Sequence, residues 1–179
     1  MITDPVRVST VIVLVAKYAV FLIPLGALLA WWRASRQAKA AMIIAGVVAL
    51  ALAAIAINVS AAVWFDPRPF AVDGHPPLFA HAPDNGFPSD HTTLGVAIGA
   101  TLFGWRRRLG ASLVLVALTA GAARVAAHVH HVPDIIGGLV LGILCALGGV
   151  LVAKRSVVWM DSRRRASILS RARLRGEEH

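Results

Sequence analysis

The chain has 179 residues, 58% of them hydrophobic, with a mean hydropathy of +0.71, a formal charge of +9 and a pI near 11.4. A soluble domain runs to about 45–50% apolar residues, so this composition excludes one, and a single cysteine, Cys145, excludes a disulfide framework. The basic excess does not indicate nucleic acid, because Lys and Arg are split among separate loops rather than gathered into one stripe.

A helix crosses a bilayer in about 20 apolar residues, and four runs approach or exceed that length. The first, residues 8–32, is too long for the roughly 7–15-residue core of a signal peptide, and only Asp4 and Arg7 are charged before it. It is expected to be a retained anchor, with Lys17 a rare charge inside it. Arg33, Arg36 and Lys39 separate it from the second run, residues 40–65. Residues 66–88 then hold six of the nine prolines and read as a structured loop with room for a short helix. Residues 89–105 are a marginal span whose polar start would sit at an interface. Arg106, Arg107 and Arg108 follow, then the runs 111–129 and 135–153, joined by a short turn at Pro133. Eight more Lys or Arg come after Val152.

There is no internal repeat and no second-domain linker. The expected fold is an all-α integral membrane protein, a single bundle of about five transmembrane helices with a structured outer loop. Residues 1–153 form the transmembrane domain, with a motif-bearing core at 59–138. Residues 154–179 form a basic tail, with Trp159, Ile168, Leu169 and Leu174 interleaved, either lying on the anionic leaflet or disordered. The three regions that carry 14 of the 18 basic residues are assigned to the cytoplasm by the positive-inside rule. That places the N-terminus outside, the C-terminus inside, and six of the nine acidic residues on the outer side.

Ionisable groups at membrane depth are costly and face polar cavities, so they are functional candidates. Here the topology brings Arg68, Ser89, His91, Arg124, His128, His130 and Asp134 to one outer layer. Arginine forks suit phosphate oxygens, and a serine at a helix start adds a hydroxyl and free N–H groups. A histidine held by a carboxylate has a fixed tautomer and can act as a nucleophile, while a second can protonate a leaving oxygen. Together they describe a phosphoryl-transfer site. Each residue alone has an ordinary explanation: Ser89 and Asp134 as helix caps, Arg68 as a snorkelling interface cation, His91, His128 and His131 as structural polar contacts. Their convergence on one face is what favours chemistry. Arg124 and His130 lie about 240° apart on an ideal helix, so they share a site only if the helix ends or bends between them, and Pro133 makes an end there reasonable.

Arg68-Pro69, then Pro88-Ser89-Asp90-His91, then Arg124, His130 and Asp134, resembles the three-part signature of the type-2 phosphatidic acid phosphatase superfamily. "DPRPF" and "HAPDNGFPSDHTT" are most similar to its bacterial undecaprenyl-diphosphate phosphatase branch. The resemblance implies that His130 is the nucleophile, Asp134 its orienter, His91 the leaving-group acid, and Arg68, Ser89 and Arg124 the phosphate holders, with no metal and no cofactor. The family's first motif opens with a lysine seven residues before the arginine, a position occupied here by Ala61, for which Lys17 is a candidate substitute. A glycine two residues before the nucleophile is here His128.

The implied reaction is hydrolysis of the terminal phosphate of a polyprenyl diphosphate through a phosphohistidine, as in recycling of the lipid carrier for cell-wall synthesis. The implied location is the bacterial cytoplasmic membrane, with the site facing outside. Phosphatidylglycerophosphate, phosphatidate or another lipid phosphate is the alternative substrate, since such a site does not read the tail. From another class, His81, His128, His130, His131 and Asp134 are a possible transition-metal set, against which the two arginines argue. Partners expected are the lipid phosphate and membrane lipids, not nucleic acid, and the oligomeric state is left open.

Overall fold

The computed structural model describes the backbone of residues 5–176 and the side chains of residues 6–157. Its helices are α1 (Pro5–Tyr18), α2 (Leu22–Trp32), α3 (Arg36–Val63), α4 (Pro69–Val72), α5 (Asp90–Leu102), α6 (Arg107–Ala126) and α7 (Val132–Gly176), with no strand among the described residues. Four stretches are long and apolar enough to cross a membrane: Val6–Trp32, Arg36–Val63, Arg107–Ala126 and Val132–Val157. The expected fifth, marginal span is α5, 13 residues long. At about 1.5 Å per residue it rises only about 20 Å. The count of about five therefore resolves into four long spans and one short central helix.

α1 and α2 are one span interrupted by a 3₁₀ turn at Ala19–Phe21. Pro24 explains the break, since it has no N–H for the carbonyl four residues back and its ring crowds that carbonyl. Ser35 starts α3 by accepting the N–H of Ala38 at 3.3 Å. Along α3 the buried residues Ala41, Ala45, Ala49 and Ala53 recur every fourth position and form one small-residue stripe. α3 packs on α7 and α5, and α5 in turn on α6 and α7. Small residues permit that closeness. A Cβ on Gly142 of α7 would stand 2.8 Å from the Thr93 carbonyl oxygen and 2.7 Å from Val96 Cβ, both on α5.

Large apolar side chains such as Leu25, Ile55, Leu115 and Leu144 are exposed instead, which in lipid is the natural placement of an apolar face. α5 is the inverse case. Thr92, Thr93, Gly95, Val96, Ala97 and Gly99 are all buried on it, so it forms the centre of the bundle. The tail beyond Val152 continues α7 as helix to Gly176. The interleaved side chains Trp159, Ile168, Leu169 and Leu174 lie outside the described residues.

The loop 66–88 is anchored at both ends, as a structured loop requires. Pro67 and Asn85 form an isolated antiparallel bridge, Gly86 donates its N–H to the Asp66 carbonyl at 2.8 Å, and Asn85 Oδ1 accepts the N–H of Asp66 at 2.9 Å. The short helix in it is α4, with Pro69 at its first position, where the missing N–H costs nothing.

Candidate active site

Arg68, Ser89, Arg124, His130 and Asp134 are all buried. Each comes from a different structural event. Arg68 is the residue just before α4 and Ser89 the residue just before α5. Arg124 lies in the last turn of α6, Asp134 in the first turn of α7, and His130 in the link between them. α6 ends at Ala126, and His128 then adopts φ +65. That left-handed residue reverses the chain, so the 240° offset of an unbroken helix never arises.

The centre is His130. Its Nδ1 lies 3.0 Å from Asp134 Oδ2, so Nδ1 carries the proton and donates it to the carboxylate. Nε2 is left with its lone pair, and Arg68 Nη1 sits 2.9 Å from it. The network thus assigns the tautomer. His130 has a pKa below the ordinary value: burial is the first cause, Arg68 and Arg124 add to it, and Asp134 opposes it. Asp134 Oδ2 also accepts the N–H of His131 at 2.9 Å, while its buried Oδ1 has no partner among the described residues. Asp134 Oδ2 therefore accepts both the His131 N–H and the His130 Nδ1–H.

Arg68 is held from both sides. Nε and Nη2 bond Asp84 Oδ1 at 2.9 and 2.8 Å, Nη2 reaches the Asn85 carbonyl at 3.2 Å, and Nη1 the Val129 carbonyl at 2.9 Å. This is a fixed fork rather than a snorkelling cation. Arg124 donates from Nη1 to the Ala16 carbonyl at 3.2 Å and from Nη2 to His81 Nε2 at 3.0 Å, leaving its buried Nε without a partner among the described residues. His81 Nδ1 lies 3.1 Å from the Ala82 carbonyl, so that nitrogen carries the proton. The His81 pKa is lowered, first by burial, and its ring centroid is 6.4 Å from that of His130.

Ser89 stands at the N-cap position of α5, yet its side chain makes no capping bond. Its Oγ accepts from Thr92 Oγ1 at 3.2 Å, and its N–H donates to the Asp134 carbonyl at 3.1 Å, which joins α5 to the start of α7. His91, half-buried in the first turn of α5, is within electrostatic reach of Arg124, His130, His81 and Arg68. All six site residues singled out from sequence therefore gather around one point. Arginines and helix-start N–H groups at that point suit phosphate oxygens. Cavities of about 500 and 430 Å³ lie elsewhere, lined by apolar residues such as Phe103 with Val150 and Leu28 with Ile98. They lack the groups a phosphate needs.

Several neighbours were not singled out from sequence for this role: Asp84, Asn85, Thr92, His81 beside Arg124, and Asp66, whose Oδ2 accepts from His131 Nδ1 at 2.9 Å. For all of them but Thr92, which is buried in α5, the common signal is the polar density of "HAPDN" and "FDP" in the loop. Lys17 Nζ lies 5.5 Å from the Phe79 ring centroid, and Arg124 Cζ 6.0 Å from the same centroid. Lys17 thus approaches the Arg124 side of the site. Ala61 is exposed, and its carbonyl accepts from Asn85 Nδ2 at 3.4 Å. The five-member metal set read from sequence divides: His128 faces Asp73, His131 faces Asp66, and only His130 turns to Asp134.

Comparison with known proteins agrees with this arrangement. The family model described as PAP2 superfamily matches residues 40–157. Undecaprenyl-diphosphatase BcrC of Bacillus subtilis is 32% identical over 137 residues, 76% of this chain and 70% of that protein. Bacitracin transport permease protein BcrC of Bacillus licheniformis is 31% identical over 140 residues, 78% of this chain and 68% of that protein. The crystal structure of Aquifex aeolicus LpxE superposes with a TM-score of 0.61 at 24% identity, covering 82% of this chain and 87% of that one, a likeness of fold. With two thirds of its length inside the family match and its apolar helices bundled beneath a phosphate-suited layer, the chain belongs to the PAP2 superfamily and is a membrane-integral lipid phosphatase, a phosphoric ester hydrolase.

Proposed function

We propose that this enzyme removes the terminal phosphate of undecaprenyl diphosphate at the outer face of the bacterial cytoplasmic membrane, by way of a phosphohistidine on His130. The observation that carries the reading is the buried His130, with Nδ1–H on Asp134 and the Nε2 lone pair under Arg68. A neutral imidazole with its free nitrogen beside a phosphate-binding guanidinium is poised as a nucleophile.

In this reading Arg68, Arg124, Ser89 and the first N–H groups of α5 hold the non-bridging oxygens. Nε2 attacks the terminal phosphorus in line as the bond to the leaving oxygen breaks, and His91 gives that oxygen a proton. Asp134 stabilises the cationic phosphoimidazole through Nδ1–H. Water, deprotonated by His91, then cleaves the N–P bond, and orthophosphate leaves. No metal or cofactor takes a part. The substrate choice is supported by the name of the Bacillus subtilis relative, and the sidedness by the loop charges. Residues 1–153 serve as the catalytic unit and residues 154–179 as a cytoplasmic-side tail on the anionic leaflet. Phosphatidylglycerophosphate, phosphatidate and other lipid phosphates carry the same headgroup chemistry and form the comparison set for substrate.

The test is rapid quench with terminally labelled substrate. Wild type should give an acid-labile, base-stable adduct on His130, and His130→Ala none. An adduct on His128 or His131, or normal turnover by His130→Ala, would overturn the assignment. His91→Ala should impair lipid monophosphates more than diphosphates, because a poor alkoxide leaving group needs its proton most, and general acid catalysis there amounts to about 10² to 10⁴ in rate.

A further inference from the structure

We propose that Asp73, His75 and His128 form a zinc site at the outer rim of the molecule, strapping the loop after α4 to the turn between α6 and α7. One ligand atom from each residue lies within 4.8 Å of the others. Asp73 Oδ2 is 2.7 Å from His128 Nε2, and Asp73 Oδ1 is 3.5 Å from His75 Nδ1. The two imidazole rings meet edge to face with centroids 6.1 Å apart.

Two imidazoles and one carboxylate are the donor set of a three-ligand Zn²⁺ site, with water as the fourth ligand. Tetrahedral bonds of about 2.0–2.1 Å place the donors about 3.4 Å apart, so the observed spacings require shifts on the order of 1 Å. Asp73 and His75 are exposed and His128 half-buried, so those shifts meet little resistance.

The backbone supplies an independent reason. His128 follows the last residue of α6 and its cap at a φ of +65, the position where glycine is the ordinary helix terminator. A residue with a Cβ is strained there by about 1 kcal/mol or more, and glycine would relieve that at once. What glycine cannot supply is an imidazole on Asp73. Leu78 donates its N–H to the Ala127 carbonyl at 3.0 Å, so the same loop already meets the same turn beside His128. Three residues on, His81 touches Arg124. A metal at Asp73, His75 and His128 would fix this loop across the turn that carries His130.

The site stands apart from the chemistry. Arg68 and Arg124, which would repel a cation, bond other groups: Asp84, Asn85, Val129 and His130 for the first, Ala16 and His81 for the second. The zinc is structural, so its test does not depend on the substrate or on the nucleophile.

The experiment uses full-length protein purified without a polyhistidine tag, stripped with EDTA, and titrated with Zn²⁺ against a chromophoric chelator, with thermal unfolding followed in parallel. Wild type should take up one Zn²⁺ with a Kd on the order of 1 μM and, with zinc near 100-fold above Kd, gain several degrees in Tm. His128→Gly should lose both effects, yet in EDTA release phosphate as wild type does, with an unchanged or higher Tm because the φ strain is relieved. His75→Ala, an exposed loop change, should likewise lose the zinc response. The proposal is overturned if wild type binds no Zn²⁺ at 100 μM, or if both variants bind it as wild type does, which would place the metal elsewhere, as at Asp66, His131 and Asp134.

Discussion

Asp134→Asn isolates what the carboxylate does for His130. If the amide oxygen takes the place of Oδ2, it still accepts from His130 Nδ1–H at 3.0 Å and from the His131 N–H at 2.9 Å, so the tautomer is kept and only charge is lost. Two unit charges 3.0 Å apart interact by about 5 kcal/mol at an effective dielectric near 20. With the charge on the imidazole about half developed in the transition state, the loss is about 2.5 kcal/mol, or roughly 10²-fold in kcat. The amide nitrogen would sit where Oδ1 is buried without a partner, an unsatisfied donor of about 1–3 kcal/mol, set against relief from burying a charge. Stability should therefore change little. Were the amide to flip, its NH₂ would force the proton onto Nε2, and a loss nearer 10⁴ is typical of a histidine in the wrong tautomer. The assay is phosphate release from mixed micelles at saturating substrate, with KM nearly unchanged because Asp134 does not touch the phosphate. A kcat within threefold of wild type would refute stabilisation of the imidazolium by the Asp134 charge.

Four further outcomes are expected. His130 has a lowered pKa and attacks as the neutral imidazole, so the acid limb of kcat/KM should lie below the ordinary histidine value of about 6.5, while the need for a protonated His91 sets the alkaline limb; an acid limb centred at or above that value is the contrary result. Since folded His130 and His81 bind fewer protons than the unfolded chain over the interval below the ordinary histidine pKa, Tm should fall as pH drops through that interval and recover above it. A methyl at Gly86 would stand 3.0 Å from Asp134 Oδ2 and 3.2 Å from the Asp66 carbonyl, so Gly86→Ala should lower kcat about tenfold or more, whereas Gly142→Ala should lower stability by about 1–3 kcal/mol through overpacking against α5 and leave KM alone; matching kinetic profiles would remove the distinction. For sidedness, a cysteine replacing exposed Ala82 should react with an impermeant thiol reagent in intact cells and one replacing exposed Arg107 should not, with the reverse pattern inverting the topology.

The long spans were legible because lipid demands uninterrupted apolar helix, and a window average registers that demand without knowing any contact. α5 was only marginal for the same reason: at 13 residues, with Thr92, Thr93, Gly95 and Gly99 on it, it satisfies a bundle interior rather than a bilayer. Arg68, Ser89, His91, Arg124, His130 and Asp134 were legible because charges at span ends are rare and here fall on one side. The supports around them were not. Asp84 and Asn85 reach Arg68 across 16 and 17 residues of irregular chain, and Asp66 meets His131 across 65. No periodicity encodes such meetings. The left-handed turn at His128 was hidden for another reason, since a histidine there conceals a conformation that a glycine would have advertised.

The short rise of α5 bears on which membranes suit the enzyme. Its lower end runs into Arg106, Arg107 and Arg108, which belong at a polar boundary, so about 20 Å of helix must stand within a hydrocarbon layer of about 30 Å. With the turn Phe103–Trp105 between Leu102 and Arg106 added to that rise, Ser89, at the other end, stops about 5 Å short of the opposite boundary of an upright bundle. On the function proposed above, the phosphate layer is then a recess, and a lipid headgroup must dip to reach it. Hydrophobic mismatch then becomes a kinetic variable. In vesicles of shorter acyl chains the headgroup starts nearer the recess, and turnover should rise as the bilayer thins, until the four long spans can no longer tilt to match it.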